Sequence, residues 1–408
     1  MGGTWVHWNQ PHLYHELHRY NLHKHLKTSA GTLEAVQMFY RQAQGPVQEI
    51  DGSEFGRIVQ SVAEKFFDID GMDSRKLMPY PHDPFRATAP WKKYDHLTVR
   101  RRLDQLDLPA LDKESFESTV NSFGSAPGSE IGFVEALRWY ALGGHNMAQV
   151  FELAGIYKLG KGGMTAFARS ILRDARCDIL LDTIVSEIIS DDGSSQGIGV
   201  VKSRDGQWIL KAKAIVSTVP LNCLSDVKFT PELSPAKREA IAQGHINKGA
   251  KIHFKLARTE PGWFAACDGY GDSPFCFSFS DHNGTKASGP DGTYCIGFGY
   301  NGFLRDPQDC TTIIDQFKRN IRPDADVEAY LTHDWTSDPL SKGTWSCWGS
   351  GCMTKYQQEL QKTHGNIFFA SAEWAEGWRG FVDGALESGQ KAANDVAALL
   401  NACPRPNL

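Results

Sequence analysis

The sequence predicts a mixed α/β fold with more than one domain. Three observations carry this. The chain has 408 residues, more than one hydrophobic core usually serves. Residues 178–220 read as short strands closed by Asp-Gly turns. Near the C-terminus an apolar strand, Ile367–Ser371, runs through a glycine-rich turn into a helix from Gly384 to Leu400. That order is the layout of a cofactor-binding edge in an α/β sheet.

Taken in order, residues 1–30 are rich in aromatic and histidine side chains. Residues 31–155 hold helical stretches, Glu54–Phe67 and Val134–Leu142, joined by turns at Pro79, Pro81, Pro84 and Pro90. Residues 163–176 form a predicted helix, because glycines precede Phe167, Ile171 and Leu172 at helical spacing. A meander follows. Asp178–Ile189 runs to Asp191-Asp192-Gly193, Ile198–Lys202 is closed by Asp205-Gly206, Gln207–Leu210 is the third strand, and Ala212–Pro220 returns as an apolar run. Residues 233–342 mix strands, Lys251–Leu256 and Tyr294–Phe298, with a helix near Thr312–Arg319.

The chain is 41% hydrophobic, 11% aromatic and 22% charged, with a net charge of -5. No basic stretch alternates with aromatics, so nucleic acid is not an expected partner. No apolar run reaches about 18 residues, so no membrane partner is expected. The start, MGGTWVHWNQPH, lacks the charged and apolar regions of a secretory leader. Nine scattered cysteines without a C-x-x-C pair read as reduced thiols. Pro406-Asn407-Leu408 is not a peroxisomal address. A cytoplasmic protein is expected, and a homo-oligomer is left open.

Four patterns are weighed and set aside. Gly297-Phe-Gly299-Tyr-Asn-Gly302 matches a dinucleotide fingerprint after a strand, but Pro307 stops the helix that should follow. Gly155 to Lys161 resembles a phosphate loop, yet Gly162 stands where its Ser or Thr belongs. His12, His15 and His18 recur on one helical face without carboxylates or cysteines at ligand spacing, so no metal site is expected. No G-x-S-x-G elbow supplies a hydrolase nucleophile.

Three distant segments remain. Gly2-Gly3-Thr4-Trp5-Val6-His7-Trp8 combines glycines, which permit close backbone approach to a flat ligand, with apolar ring walls. Gly343-Thr344-Trp345 is the second. The third, FASAEWAEGWRGFVDGALESG at 369–389, ends a strand, passes aromatics through a turn and opens a helix. This run resembles the C-terminal flavin-binding signature of the monoamine and polyamine oxidase family. GGTWVHWNQPH resembles that family's stretch beside the isoalloxazine ring. KGGMTAFARSIL and VSTVPLNCLSDVKFTPELS resemble its middle. KGTW with GCMTKYQQELQKTHGNIFFASAEWA resembles the fungal, non-covalent branch.

The resemblance implies a two-domain flavin amine oxidase fold. Residues 1–30, 156–232 and 343–402 would form the FAD-binding part, and 31–155 and 233–342 the substrate-binding part. Gly2, Gly3, Thr4 and Trp5 would line the flavin ring, and the Phe381-Val382 backbone would reach its pyrimidine edge. Val185 would meet the adenine, and Glu373 would sit near the ribityl or pyrophosphate. Trp345 and Phe381 would flank the substrate amine as aromatic walls. Thr344 would stand where animal enzymes carry a flavin-linking cysteine, so FAD would be non-covalent. Lys251 or Lys248, with Lys251 preferred, would hold a water at the ring. The implied activity oxidises a small-molecule amine to an imine and reduces O2 to hydrogen peroxide.

The family begins with a strand, a G-x-G-x-x-G turn and a helix, which this sequence lacks before Met1. The expectation is a chain without the dinucleotide motif, with an incomplete FAD-binding sheet. An inactive family member, or a flavin oxidase of a secondary-metabolite intermediate, is the alternative.

Overall fold

The computed structural model describes residues 2–29, 35–160, 162–191, 197–268, 273–282, 291–300, 304 and 306–402. Strands and helices are numbered along the chain. The largest sheet has seven strands in the order β14-β10-β13-β12-β11-β2-β3. These are Val327–Thr332, Ala250–Leu256, Thr293–Gly299, Phe275–His282, Trp263–Cys267, Gln37–Arg41 and Val47–Ile50. Neighbours are antiparallel except β11 and β2.

Strand periodicity gives β10 two distinct faces. Ile252, Phe254 and Leu256 are buried in one core, where Phe254 stacks on Phe317 at 4.2 Å. Phe317 lies on the helix Cys310–Asn320. Lys251 and His253 therefore take the opposite face. That face meets a second apolar group of Phe279, Ile296 and Phe298.

Five helices cover this side: α2 (Gly52–Phe66), α3 (Val99–Asp104), α4 (Ala110–Asn121), α5 (Phe133–Leu142) and α6 (Met147–Gly155). Asp51 caps α2 by accepting from the Ser53 and Glu54 amides, and Val59, Val62, Ala63 and Phe66 form its buried stripe. Asn146 caps α6 through the Gln149 amide. Together they bury the largest core, around Phe66, Phe116, Phe133 and Trp91.

The remaining sheets are small. β5 (Val185–Ile189), β6 (Gly199–Ser203), β7 (Ile209–Ala212) and β9 (Lys228–Thr230) form a four-stranded sheet ordered β7-β6-β5-β9. β8 (Ile215–Ser217) pairs in parallel with β15 (Ile367–Phe369), and β1 (Leu26–Thr28) pairs with β4 (Tyr157–Leu159). The other helices are α1 (Pro11–Arg19), α7 (Gly163–Ala175), α8 (Pro235–Gln243), α9 (Cys310–Asn320) and α10 (Val382–Ala402).

The predicted helices and most strands are present within about two residues, the ordinary uncertainty of such ends. One reading needs correction. Residues 178–184 are not strand; β5 begins only at Val185, where pairing with β6 starts, and pairing with β9 follows from Glu187. The apolar run after the meander feeds back into another sheet, as expected, where β8 pairs in parallel with β15. The last helix begins at Val382, which places Gly384 inside it. A Cβ at Gly384 would meet the Trp378 carbonyl oxygen at 2.3 Å, so packing explains the glycine. Asp192-Gly193 and Gly302 lie outside the described residues. Among the described residues no helix is long and apolar enough to cross a membrane, and no group of three His, Cys, Asp or Glu could hold a metal. His18 instead stacks on His23 at 3.7 Å.

Candidate active site

A cavity of about 490 Å³ lies between the seven-stranded sheet, helices α5 and α6, and the turns at 343–345 and 371–382. The sheet supplies Phe264, Phe277, Phe279 and Phe298, while Phe123, Trp139 and Phe151 close the helical side. Gly2, Gly3, Thr4 and Trp5 form a further wall. Among the described residues that line it, Lys251 is the sole ionisable side chain, and none is cysteine, histidine or tyrosine.

Close backbone approach brings the two aromatic walls together. Gly380 has a φ of 87°, and a Cβ there would meet the Ser346 carbonyl oxygen at 2.6 Å. Only glycine permits this approach, which sets the Trp345 segment against the Phe381 segment. The Trp345 indole nitrogen donates to the Phe123 carbonyl at 2.7 Å, which fixes its ring. The Phe381 ring meets Trp139 at 4.8 Å and Trp378 at 5.0 Å. Thr344 lines the cavity and donates from Oγ1 to Asn247 Oδ1 at 2.5 Å.

The N-terminal segment is seated against the start of α10. A Cβ on Gly3 would lie 3.5 Å from Val382 Cγ2. Asp383 Oδ1 accepts from the Leu13 amide at 2.7 Å, tying α10 to α1. Burial pushes the Asp383 carboxyl up to about 6. Sequence reasoning did not single out Asp383; its place in the first turn of a helix, after a glycine turn, was the available signal.

Lys251 is buried beside this wall. Its Nζ donates to Thr4 Oγ1 at 2.6 Å and to the Gly2 carbonyl at 3.0 Å, and lies 4.7 Å from the Trp5 ring centre. Burial pulls its ammonium down to about 8; Asp281 opposes this shift and Lys158 adds to it. Lys248 is exposed and does not line the cavity.

Two predicted cofactor residues stand elsewhere. Val185 opens β5 and packs against the core beneath that sheet, outside the cavity lining. Glu373 is also outside it. Its carboxylate accepts from the Ser371 hydroxyl and from the Leu221 amide at 3.4 Å, and burial raises its pKa. Ser371, two residues before it, does line the cavity.

The aromatic content of the sheet face was missed. Phe275-Cys-Phe277-Ser-Phe279-Ser carried the signal, since alternate residues share a strand face. The register shifts between Phe275 and Phe277, so Phe275 joins the core with Phe254 while Phe277 and Phe279 reach the cavity. A second cavity of about 750 Å³ adjoins the first and shares Ser122, Phe151, Phe264 and Phe277 with it.

The family model described as flavin containing amine oxidoreductase matches residues 1–397. The chain belongs to that family. The flavin amine oxidoreductase shown here is 30% identical to pseudooxynicotine dehydrogenase of Pseudomonas sp over 401 residues, which is 98% of this chain and 77% of that one. It is 29% identical to nicotine dehydrogenase of Pseudomonas putida over 405 residues, 98% of this chain and 79% of the relative. Among solved structures it is similar to putrescine oxidase bound to putrescine, with a TM-score of 0.76, 17% identity, and 97% and 88% of the two chains covered. It is also similar to cyclohexylamine oxidase from Brevibacterium oxydans, with a TM-score of 0.74, 19% identity, and 98% and 88% covered. Those likenesses show the mixed α/β fold.

The residues of the cavity fit the ring end of a flavin. Nothing lies within 4 Å of a Cβ built on Gly2, so a flat ring can approach that backbone. Ser217 Oγ, buried at the C-terminal end of β8, finds no hydrogen-bond partner among the described residues. The carboxyl ends of parallel strands are where such folds receive cofactors.

Proposed function

We propose that this flavin amine oxidoreductase is an FAD-dependent amine oxidase for a monoamine bearing a bulky apolar or aromatic group. The observation that carries this is the cavity wall, which is rich in aromatic rings and, among the described lining residues, holds one ionisable side chain, Lys251. No carboxylate among the described lining residues could anchor a second cationic end, so the apolar part of the substrate supplies the binding. The relatives named for nicotine and pseudooxynicotine support an amine attached to an aromatic ring.

FAD, when bound, supplies the acceptor for the two electrons that leave the amine, which O2 then takes to give hydrogen peroxide. The chain's own residues orient, exclude and tune. Trp345 and Phe381 would hold the amine nitrogen between π faces, so that its α-carbon lies toward the Gly2–Trp5 wall. The surrounding phenyl rings keep water out. Lys251 admits the amine in its neutral form, because below about pH 8 it is itself charged and a second cation in an apolar chamber is costly. Lys251 would also hold a water at the ring. FAD would be held without a covalent bond, consistent with Thr344 at that position and no cysteine among the described lining residues. The fungal affinity and the two-part division of the chain are part of the same reading and rest on the sequence segments.

A second reading concerns the electron acceptor alone. Two relatives carry the name dehydrogenase, which supports an acceptor other than O2. The test is a panel of aromatic and aliphatic monoamines, with diamines as controls, given to FAD-supplemented protein. Bleaching of the visible flavin band by monoamines, with peroxide in air, is expected. Bleaching with dye reduction but no peroxide favours the second reading. A flavin band that no amine bleaches defeats both.

A further inference from the structure

One buried cluster stands outside the cavity and has no part in the chemistry above. Glu135 and Arg138 lie on α5, and Arg379 lies in the turn before α10. All three side chains are at most 2% exposed. Glu135 Oε1 accepts from Arg138 Nη2 at 2.5 Å, and its Oε2 accepts from Arg379 Nη2 at 2.5 Å. Arg138 also donates from Nη1 to the Gly377 carbonyl at 2.7 Å and from Nη2 to the Arg379 carbonyl at 3.2 Å. One helix thus grips the 377–379 turn at three points.

The cluster is a poor device for stability. It sets one carboxylate against two guanidiniums and leaves Arg138 Nε and Arg379 Nε and Nη1 without hydrogen-bond partners. The buried Asp95 carboxylate, which accepts from the Thr354 amide at 2.8 Å, is a further negative group nearby. Burial works against the Glu135 carboxylate, and the two arginines outweigh it and hold it below the ordinary glutamate value. Buried ion pairs are often no more stabilising than well-packed apolar residues of the same volume, while loss of one partner is strongly destabilising. What the cluster does supply is geometry. Arg138 is followed by Trp139, whose ring touches Phe381, and Arg379 is followed by Gly380 and Phe381.

We propose that Glu135, Arg138 and Arg379 are positioning residues that lock the 377–381 turn onto α5 and so fix the Phe381 ring as a wall of the chamber. The two-pronged guanidinium of Arg379 is needed, because a lysine ammonium gives a point charge without the planar fork. The part of this that concerns substrate rests on the amine-oxidase reading; the part that concerns the Phe381 ring does not.

The test uses the whole chain in two variants. The first replaces the cluster with apolar side chains of similar length, Glu135→Met, Arg138→Met and Arg379→Met together. The second is Arg379→Lys alone. Three readouts are taken: the thermal midpoint, the near-ultraviolet circular dichroism difference between variant and parent, to which the Trp139–Phe381–Trp378 cluster contributes, and the split of KM and kcat with FAD and the best monoamine. The triple variant should keep its thermal midpoint within about 5 °C, show a changed near-ultraviolet spectrum in the tryptophan region, and raise KM by about tenfold or more. Arg379→Lys should show the same spectral change. A cooperatively melting triple variant with an unchanged near-ultraviolet spectrum overturns the proposal. So does a triple variant that fails to fold while Arg379→Lys keeps the parent spectrum, since the cluster would then be structural only. If the parent chain oxidises no amine, the functional reading fails, and the spectra still decide the role of the cluster.

Discussion

Four strands of the large sheet, β10 to β13, and helices α5, α6 and α10 line the aromatic chamber, while two parallel strands, β8 and β15, stand at the edge where the family resemblance places the dinucleotide. On the chamber side Phe279, Ile296 and Phe298 are at most 4% exposed. On the other side Ile179, Leu180 and Leu181 are 51%, 40% and 79% exposed. Nine of the sixteen exposed large apolar residues fall between 172 and 216, so the apolar surface is concentrated there. Parallel sheets are ordinarily covered on both faces. The difference teaches that, in the described residues, the segments proposed to contact a ring and an amine meet in one cavity. The predicted dinucleotide contacts at Val185 and Glu373 do not open onto the same cavity.

The largest effect expected from breaking this contrast is on the chamber side. Phe279→Ala removes a phenyl ring at 2% exposure and should cost about 3–5 kcal/mol in a denaturant titration. A loss below about 1 kcal/mol would mean the sheet face is loosely packed.

Lys251 gives the next effect, through pH. Burial lowers its pKa from 10.5 to about 8. Between those values the unfolded chain binds a proton that the folded chain has released, so stability rises with pH across that window. At 1.36 kcal/mol per unit the contribution is at most about 3 kcal/mol. Lys251→Met removes it. The stability of the parent minus that of the variant should therefore climb from about pH 8 to 10.5; a flat difference would show Lys251 to be solvated.

Trp345→Ala should lower kcat/KM for the best monoamine by about a hundredfold, because it removes one of the two walls proposed to orient the amine. Equal losses for monoamines and diamines are expected, since neither class finds a carboxylate in the wall. At the opposite end, Leu181→Ser should change stability by no more than about 0.5 kcal/mol and improve solubility, as the side chain is already 79% exposed. A larger loss would show that residues 178–184 are covered in solution.

Much of the chamber was legible because its residues sit in local motifs. Gly2–Trp5, Gly343–Trp345 and the 369–389 run each combine glycine with aromatics at a turn, and all three meet in one cavity. The preference for Lys251 over Lys248 came from the family resemblance; in the structure, strand alternation puts 251 on the face opposite Ile252 and Phe254. The phenyl wall from β12 was legible in the alternation of Phe275, Phe277 and Phe279, save for the register shift that sends Phe275 to the other core. The Glu135–Arg138–Arg379 cluster was not, because it depends on contacts between residues far apart in the chain, such as Glu135 with Arg379. Residues 178–184 misled for the opposite reason. Their apolar run has the composition of a strand, but pairing makes a strand, and none of the described strands pairs with them.

The contrast between the two sides is tested most directly by the affinity of the 408-residue chain for FAD against riboflavin, which has the same ring but neither the pyrophosphate nor the adenosine. Quenching of flavin fluorescence by the chamber tryptophans reports both. The account predicts that both bind, because each brings the same ring to the chamber, and that FAD binds at least as tightly as riboflavin. Quenching by neither, or by riboflavin without FAD, would contradict the account.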